Sequence, residues 1–172
     1  DANLRRISAD SGVSTNSIYT RFGDKSGLFS AVVKPAADGL MEIYLGSISE
    51  ASVRGSANTA IDMGGDGTEQ VLKYIYDNLD AFRLIFCNSA GTEYEDYFDR
   101  LAETEEKFYR DFVRKYAKEP QKISDFFIHV VCRTGWQYVF EVVSHDIPYE
   151  EAQGFMKSIR EYSFAGWKRV ME

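Results

Sequence analysis

A chain of 172 residues, 44% hydrophobic and 27% charged, has the make-up of a globular protein with a sizeable buried core. Its two cysteines, Cys87 and Cys132, each sit inside an apolar run, which excludes a disulfide-stapled secreted scaffold and points to a reducing cytoplasm. The net charge of −7 divides unevenly: residues 1–34 hold five basic side chains (Arg5, Arg6, Arg21, Lys25, Lys34) against three acidic (Asp1, Asp10, Asp24), leaving a net of −9 for the rest. A mildly basic head on an acidic body suits contact with phosphates through the head alone. No apolar run approaches the ~20 residues of a membrane helix, and the first residues do not read as a signal peptide.

Apolar residues recur at three- and four-residue steps almost throughout, and strict alternation is absent, so the chain reads as all-α. Residues 3–22 hold two short helices pivoting on Gly12, where a tight turn favours a residue that tolerates positive φ. Leu4, Ile7, Val13 and Ile18 are expected to converge in the crossing, with Ser8 small enough for close approach and Ser14 placed to cap the second helix. This is the spacing of a helix-turn-helix, whose second helix enters the major groove by its N-terminal residues. Thr15, Asn16 and Ser17 then face base edges, and Asn16 can pair bidentately with adenine. The alternative is a structural helical hairpin in an all-α protein-interaction module.

A further helix is expected from Ser26 to near Glu50, with Pro35 as a point of kinking, then a short irregular one before a break at Gly64-Gly65-Asp66-Gly67. Helices follow at roughly 68–87, 92–118, 121–144 and 149–171. Segment 123–143 is apolar nearly all round, and 152–170 carries a small-residue stripe. Phe127 and Val131 on the first, with Ala152, Met156, Ile159, Ser163, Gly166 and Val170 on the second, are the expected homodimer interface.

A ligand cavity is expected among the aromatic residues of the body. Its candidates are Tyr74, Phe86, Tyr94 and Phe98, then Glu105 and Phe108, then Trp136 and Phe140, with Phe82 and Phe112 on the same stripes. Glu105 interrupts an apolar stripe, where a carboxylate can meet a cationic or hydroxylated ligand or face water at the stripe's edge. His129 and Arg133 are expected to pair with acidic neighbours or across a dimer. No catalytic constellation, metal-ligand spacing or cofactor motif is evident: the two histidines lie sixteen residues apart, and the glycine cluster lacks the Lys-Ser/Thr of a phosphate loop.

The run Ile7…Ser11-Gly12-Val13-Ser14…Ile18-Tyr19…Phe22…Lys25…Leu28-Phe29 resembles the DNA-binding signature of TetR-type bacterial transcriptional regulators. Ser8 and Ser11 stand where that pattern has alanines, and Ile18 where it has leucine. The resemblance covers about 30 residues and implies that Tyr19 and Lys25 bind operator phosphates, with Thr20 near the backbone. It further implies a preceding helix, so the head is expected to be incomplete at its N terminus. The division expected is a DNA-binding head at 1–34 and a helical effector-binding and dimerisation domain at 35–172. The protein is then expected to be a homodimeric cytoplasmic repressor, released from its operator DNA by a small-molecule effector.

Overall fold

The computed structural model describes the backbone of residues 3–53 and 57–172 and the side chains of residues 3–50 and 67–172. Among the described residues there are helices, turns and loops but no strand, as the periodicity implies. The α-helices run in order α1 (Leu4–Ser11), α2 (Thr15–Phe22), α3 (Lys25–Val53), α4 (Ala57–Asp77), α5 (Leu79–Asn88), α6 (Tyr97–Tyr116), α7 (Asp125–Ser144) and α8 (Tyr149–Met171). A 3-10 turn, Pro120–Lys122, precedes α7.

Helix starts are set by short polar side chains that satisfy otherwise unpaired backbone N–H groups. The Asn3 side chain accepts from Arg6 N at 2.9 Å, Ser14 from Ser17 N at 3.1 Å, Asp24 from Gly27 N at 2.8 Å and Ser124 from Phe127 N at 3.1 Å. Gly12 (φ 70°) and Gly23 (φ 79°) end α1 and α2 in the left-handed region, where a Cβ is strained.

Two boundaries differ from expectation. The glycine cluster at 64–67 lies within α4 rather than breaking it. A Cβ on Gly67 would sit 2.9 Å from that of Ser47, so this glycine serves the close crossing of α4 over α3. The expected helix at 68–87 is instead divided at Asn78, whose side-chain amide donates to the Tyr74 carbonyl at 3.0 Å and whose backbone leaves helical geometry at φ −124°, ψ 33°. Residues 89–96, expected in part as helix, form turns, with Gly91 at φ 76° and Thr92 Oγ1 donating to Ser89 O at 2.7 Å. Pro35 lies inside α3, which continues through it, so the expected boundary at 34/35 falls within one unbroken helix.

The body closes around two apolar clusters. The larger joins α3 to α8 through Val33, Leu40, Ile75, Phe82, Leu101, Val143 and Ala152, all essentially inaccessible. The smaller ties the far ends of α6, α7 and α8 through Val113, Ile128, Cys132 and Trp167. Lys118 N donates to Met171 O at 2.9 Å beside it, anchoring the end of α8. In the head, Leu4 and Ile18 are buried, Ile7 and Phe22 are half-buried, and Val13 is exposed rather than packed in the crossing.

Candidate functional site

In the head, α1 and α2 turn on Gly12 and leave the start of α2 open. Asn16 and Ser17 are exposed, as are Tyr19, Thr20 and Lys25, while Thr15 is half-buried. Ser14 and Ser17 join hydroxyl to hydroxyl at 2.8 Å while Ser14 also caps the helix, so both side chains are fixed at the N-terminal turn. The cluster combines backbone N–H groups at a helix start with exposed hydroxyl and amide side chains, the donor set that grips phosphates and base edges. The head packs on α3 at Gly27, where a Cβ would collide with the Phe22 carbonyl. Further along, Tyr97 Oη donates to Ala37 O at 2.7 Å and Ser30 donates to Glu93, so α3 is tied to the body within a few turns of the head.

Between the two apolar clusters lies a cavity of about 520 Å³, within the range of about 300–1,000 Å³ common for ligand pockets. Val71, Trp136, Val139 and Met156 of the larger cluster form one side; Tyr109, Val131, Cys132 and Trp167 of the smaller form the other. Tyr44, Ser47 and Ile48 bring α3 to the wall. The rings are fixed against one another: Tyr109 stacks on Trp167 at 4.7 Å, and Tyr44 meets Trp136 edge-on at 5.1 Å.

Glu105 of α6 is the one acidic side chain among the described lining residues. Burial pushes its carboxyl up to about 8, opposed in part by the Trp136 indole. Trp136 Nε1 is buried and closes no hydrogen bond of normal geometry, yet it lies near enough to the Glu105 carboxyl to favour its charged form. The phenols of Tyr44 and Tyr109 and the thiol of Cys132 are also raised, first by burial and then by the nearby Glu105 charge, so they stay in their neutral forms.

Of the expected ligand residues, Glu105, Phe108 and Trp136 line this cavity, together with Phe112. Phe86, Tyr94, Phe98 and Phe140 instead surround a separate 240 Å³ cleft beside Arg133. Tyr74 lies in neither cavity; its ring meets Phe82 edge-on and fills the space a Cβ on Gly39 would need. Glu105 is half-buried and borders the cavity. Sequence reasoning missed Tyr44, Tyr109 and Cys132. Their helical spacing marks them as apolar-face residues, but which apolar residue borders a void depends on how the helices cross.

Arg133 pairs with Asp99 at 2.5 Å and lies over the Phe98 ring, and His129 Nδ1 meets Glu106 at 2.7 Å, so both bind acidic neighbours within the chain. Among the expected interface residues, Ala152 and Met156 are buried in the protomer's own core, which removes them from any outer surface. Phe127, Val131, Ile159, Ser163, Gly166 and Val170 border the cavity. Phe127 and Val170 are also exposed to solvent, as are Phe126, Val130, Phe155 and Tyr162 on the same helices. No group of three or more candidate metal-ligating side chains occurs among the described residues, and none of their helices is long and apolar enough to cross a membrane.

The class defined by the fold is an all-α protein whose helices α3, α4, α6, α7 and α8 border an aromatic-lined cavity. No protein-family model matches the chain, and neither a curated protein nor a solved structure matches it.

Proposed function

We propose that the chain is a TetR-like DNA-binding transcriptional regulator, a cytoplasmic homodimeric repressor whose operator affinity falls when a small molecule fills the body cavity. The observation that carries this reading is the continuity of α3. Its first turn packs against α2 through Gly27, and the same helix supplies Tyr44, Ser47 and Ile48 to the cavity wall. Nineteen residues of helix separate Lys25 from Tyr44, a lever of about 28 Å at 1.5 Å per residue. A ligand that repacks Tyr44 therefore tilts the element on which the head is mounted. Two heads in a dimer must reach major grooves about 34–36 Å apart or a multiple of that, so a modest tilt disengages one of them. The ligand moves the equilibrium only by its preference for the tilted state.

The head's residues support the DNA half of the reading. Asn16, Ser17, Tyr19, Thr20 and Lys25 follow the Gly12 turn and are exposed, as are the basic Arg5, Arg6 and Arg21. The test is a mobility-shift titration of the full chain on the DNA upstream of its own gene, with unrelated DNA as competitor. A specific complex whose log affinity falls steeply with log salt is expected. No salt-sensitive complex on any DNA leaves the head as a structural hairpin and the reading fails.

A further inference from the structure

We propose that the cavity takes a lipophilic cation, its positive charge seated on the Glu105 carboxylate and its apolar body held against the aromatic walls. This deepens the effector-site reading above and rests on it. Glu105 is the single acidic side chain among the described lining residues, and the single basic one, Arg160, is exposed on α8. Lys107, two positions along α6 and so turned about 200° from Glu105, is exposed, and Arg110, Arg133 and Arg100 are committed to Glu106, Asp99 and Asp96. The carboxylate therefore has an open place for a counter-ion, which no buried basic side chain among the described residues fills. A Cβ on Gly135 would lie 3.8 Å from Glu105 Oε2, so the glycine keeps the opposing wall clear of the carboxylate.

The surrounding groups favour a cation over an anion or a neutral molecule. Tyr44 on α3, Tyr109 on α6, and Cys132 and Trp136 on α7 face this part of the cavity, and burial keeps the three titratable ones uncharged. Among the described residues, α4 contributes Gly67, Thr68 and Val71 to the wall, none of them charged. An anion finds no buried positive group. A neutral molecule gains burial and one hydrogen bond, whereas a cation gains the carboxylate and the negative faces of the rings. Below the carboxyl's titration range the empty site holds a proton; seating the cation leaves the carboxylate paired with it and sends that proton to solvent.

The probes are benzyltrimethylammonium and its uncharged carbon analogue neopentylbenzene, titrated calorimetrically into the full chain. At pH 8.5 the cation is expected to bind at least about tenfold more tightly than the analogue, on the scale of a paired buried charge. Its affinity rises about tenfold per pH unit from pH 6 to about 7.5 and then levels, because only the carboxylate form accepts it. At pH 7, comparison of buffers with different ionisation enthalpies is expected to show release of close to one proton with the cation and none with the analogue. Glu105→Gln is expected to lose the cation preference and keep the analogue. Equal or tighter binding of the neutral probe, or cation binding in wild-type protein without proton release, overturns the cation assignment and leaves the cavity a ligand site. Binding of neither probe at any pH overturns both the assignment and the effector-site reading.

Discussion

Glu105 and Glu106 are neighbours on α6 with opposite electrostatic surroundings. One residue turns a helix by about 100°, so the two carboxylates leave the helix on different sides. Glu106 is buried with Arg110 Nη2 at 2.8 Å and His129 Nδ1 at 2.7 Å. Glu105 faces the cavity, and no cationic partner among the described residues joins it. The first arrangement holds α6 to α7; the second spends stability to keep a carboxyl at a ligand wall.

The pH dependence of folding should expose that expense. Folding moves the Glu105 carboxyl from 4.5 to about 8, so between those values the folded protein holds a proton that the unfolded chain has released. Stability contributed by the empty site is thus greatest at low pH, falls through this window, and levels above about 8. Glu105→Gln is expected to change little at pH 4.5 and to stabilise by on the order of 2–4 kcal/mol at pH 8.5. Urea unfolding at the two pH values measures it. A difference between variant and wild type that is the same at both would contradict the assignment.

Glu106→Gln should act in the other direction. It takes the charge out of two charge-assisted hydrogen bonds at a buried position and leaves Arg110 with a neutral amide in place of its main ion-pair partner. The expected loss is about 1.5–3 kcal/mol in denaturant unfolding at pH 7. His129→Gln should cost less, since that ring is half-exposed. A neutral Glu106→Gln would mean that the cluster holds nothing together.

Gly27→Ala tests the mounting of the head. A Cβ there runs into backbone, the Phe22 carbonyl, which cannot rotate away as a side-chain tip can. The first turn of α3 and the end of α2 must separate, so residues 4–22 are expected to lose amide-exchange protection by tenfold or more, a loss of about 1.4 kcal/mol or greater. Amides around Phe82 and Leu101 should keep theirs. Uniform loss across the chain would show the head and body unfolding as one unit.

Much of this was legible in the sequence where the signal is local. The Gly12 turn, the Ser14 cap and the helical periodicity each depend on residues a few positions apart. The glycine cluster at 64–67 misled because glycine has two uses, turning a chain and admitting a neighbour. The nearness of Ser47 to Gly67 is a fact of helix crossing that no local pattern carries. Asn78 lacks a glycine or proline beside it, so the break it makes through its own side chain left no punctuation. Glu105 stood out as a charge in an apolar stripe, yet its place beside a cavity depends on how the helices cross.

The residues proposed to contact DNA should separate by type of contact. Lys25→Ala is expected to weaken specific and non-specific complexes alike and to lower the salt slope by about one. Asn16→Ala should instead change preference among operator variants, by about 1–3 kcal/mol at one base pair. Uniform weakening by Asn16→Ala, or a sequence-selective effect of Lys25→Ala, would reverse the assigned roles.

The proposed dimer is best probed at residues the protomer does not use itself. Met156 is buried and Ile159 borders the cavity, so a charge at either perturbs the monomer whatever the assembly. Phe126 is 75% exposed, and Tyr162, though it also borders the cavity, is 73% exposed, so a glutamate at either reaches water and costs an isolated protomer little. In an obligate interface, which typically buries upwards of ~2,000 Å², the same glutamate becomes an unpaired buried charge worth several kcal/mol, about 3–5 where a partner is lacking. Light scattering of the parent chain at micromolar concentration should therefore give twice 19.6 kDa. Phe126→Glu and Tyr162→Glu should shift it toward 19.6 kDa with helical circular dichroism unchanged. A parent chain that stays monomeric throughout removes the paired heads, and with them the spacing mechanism for operator release.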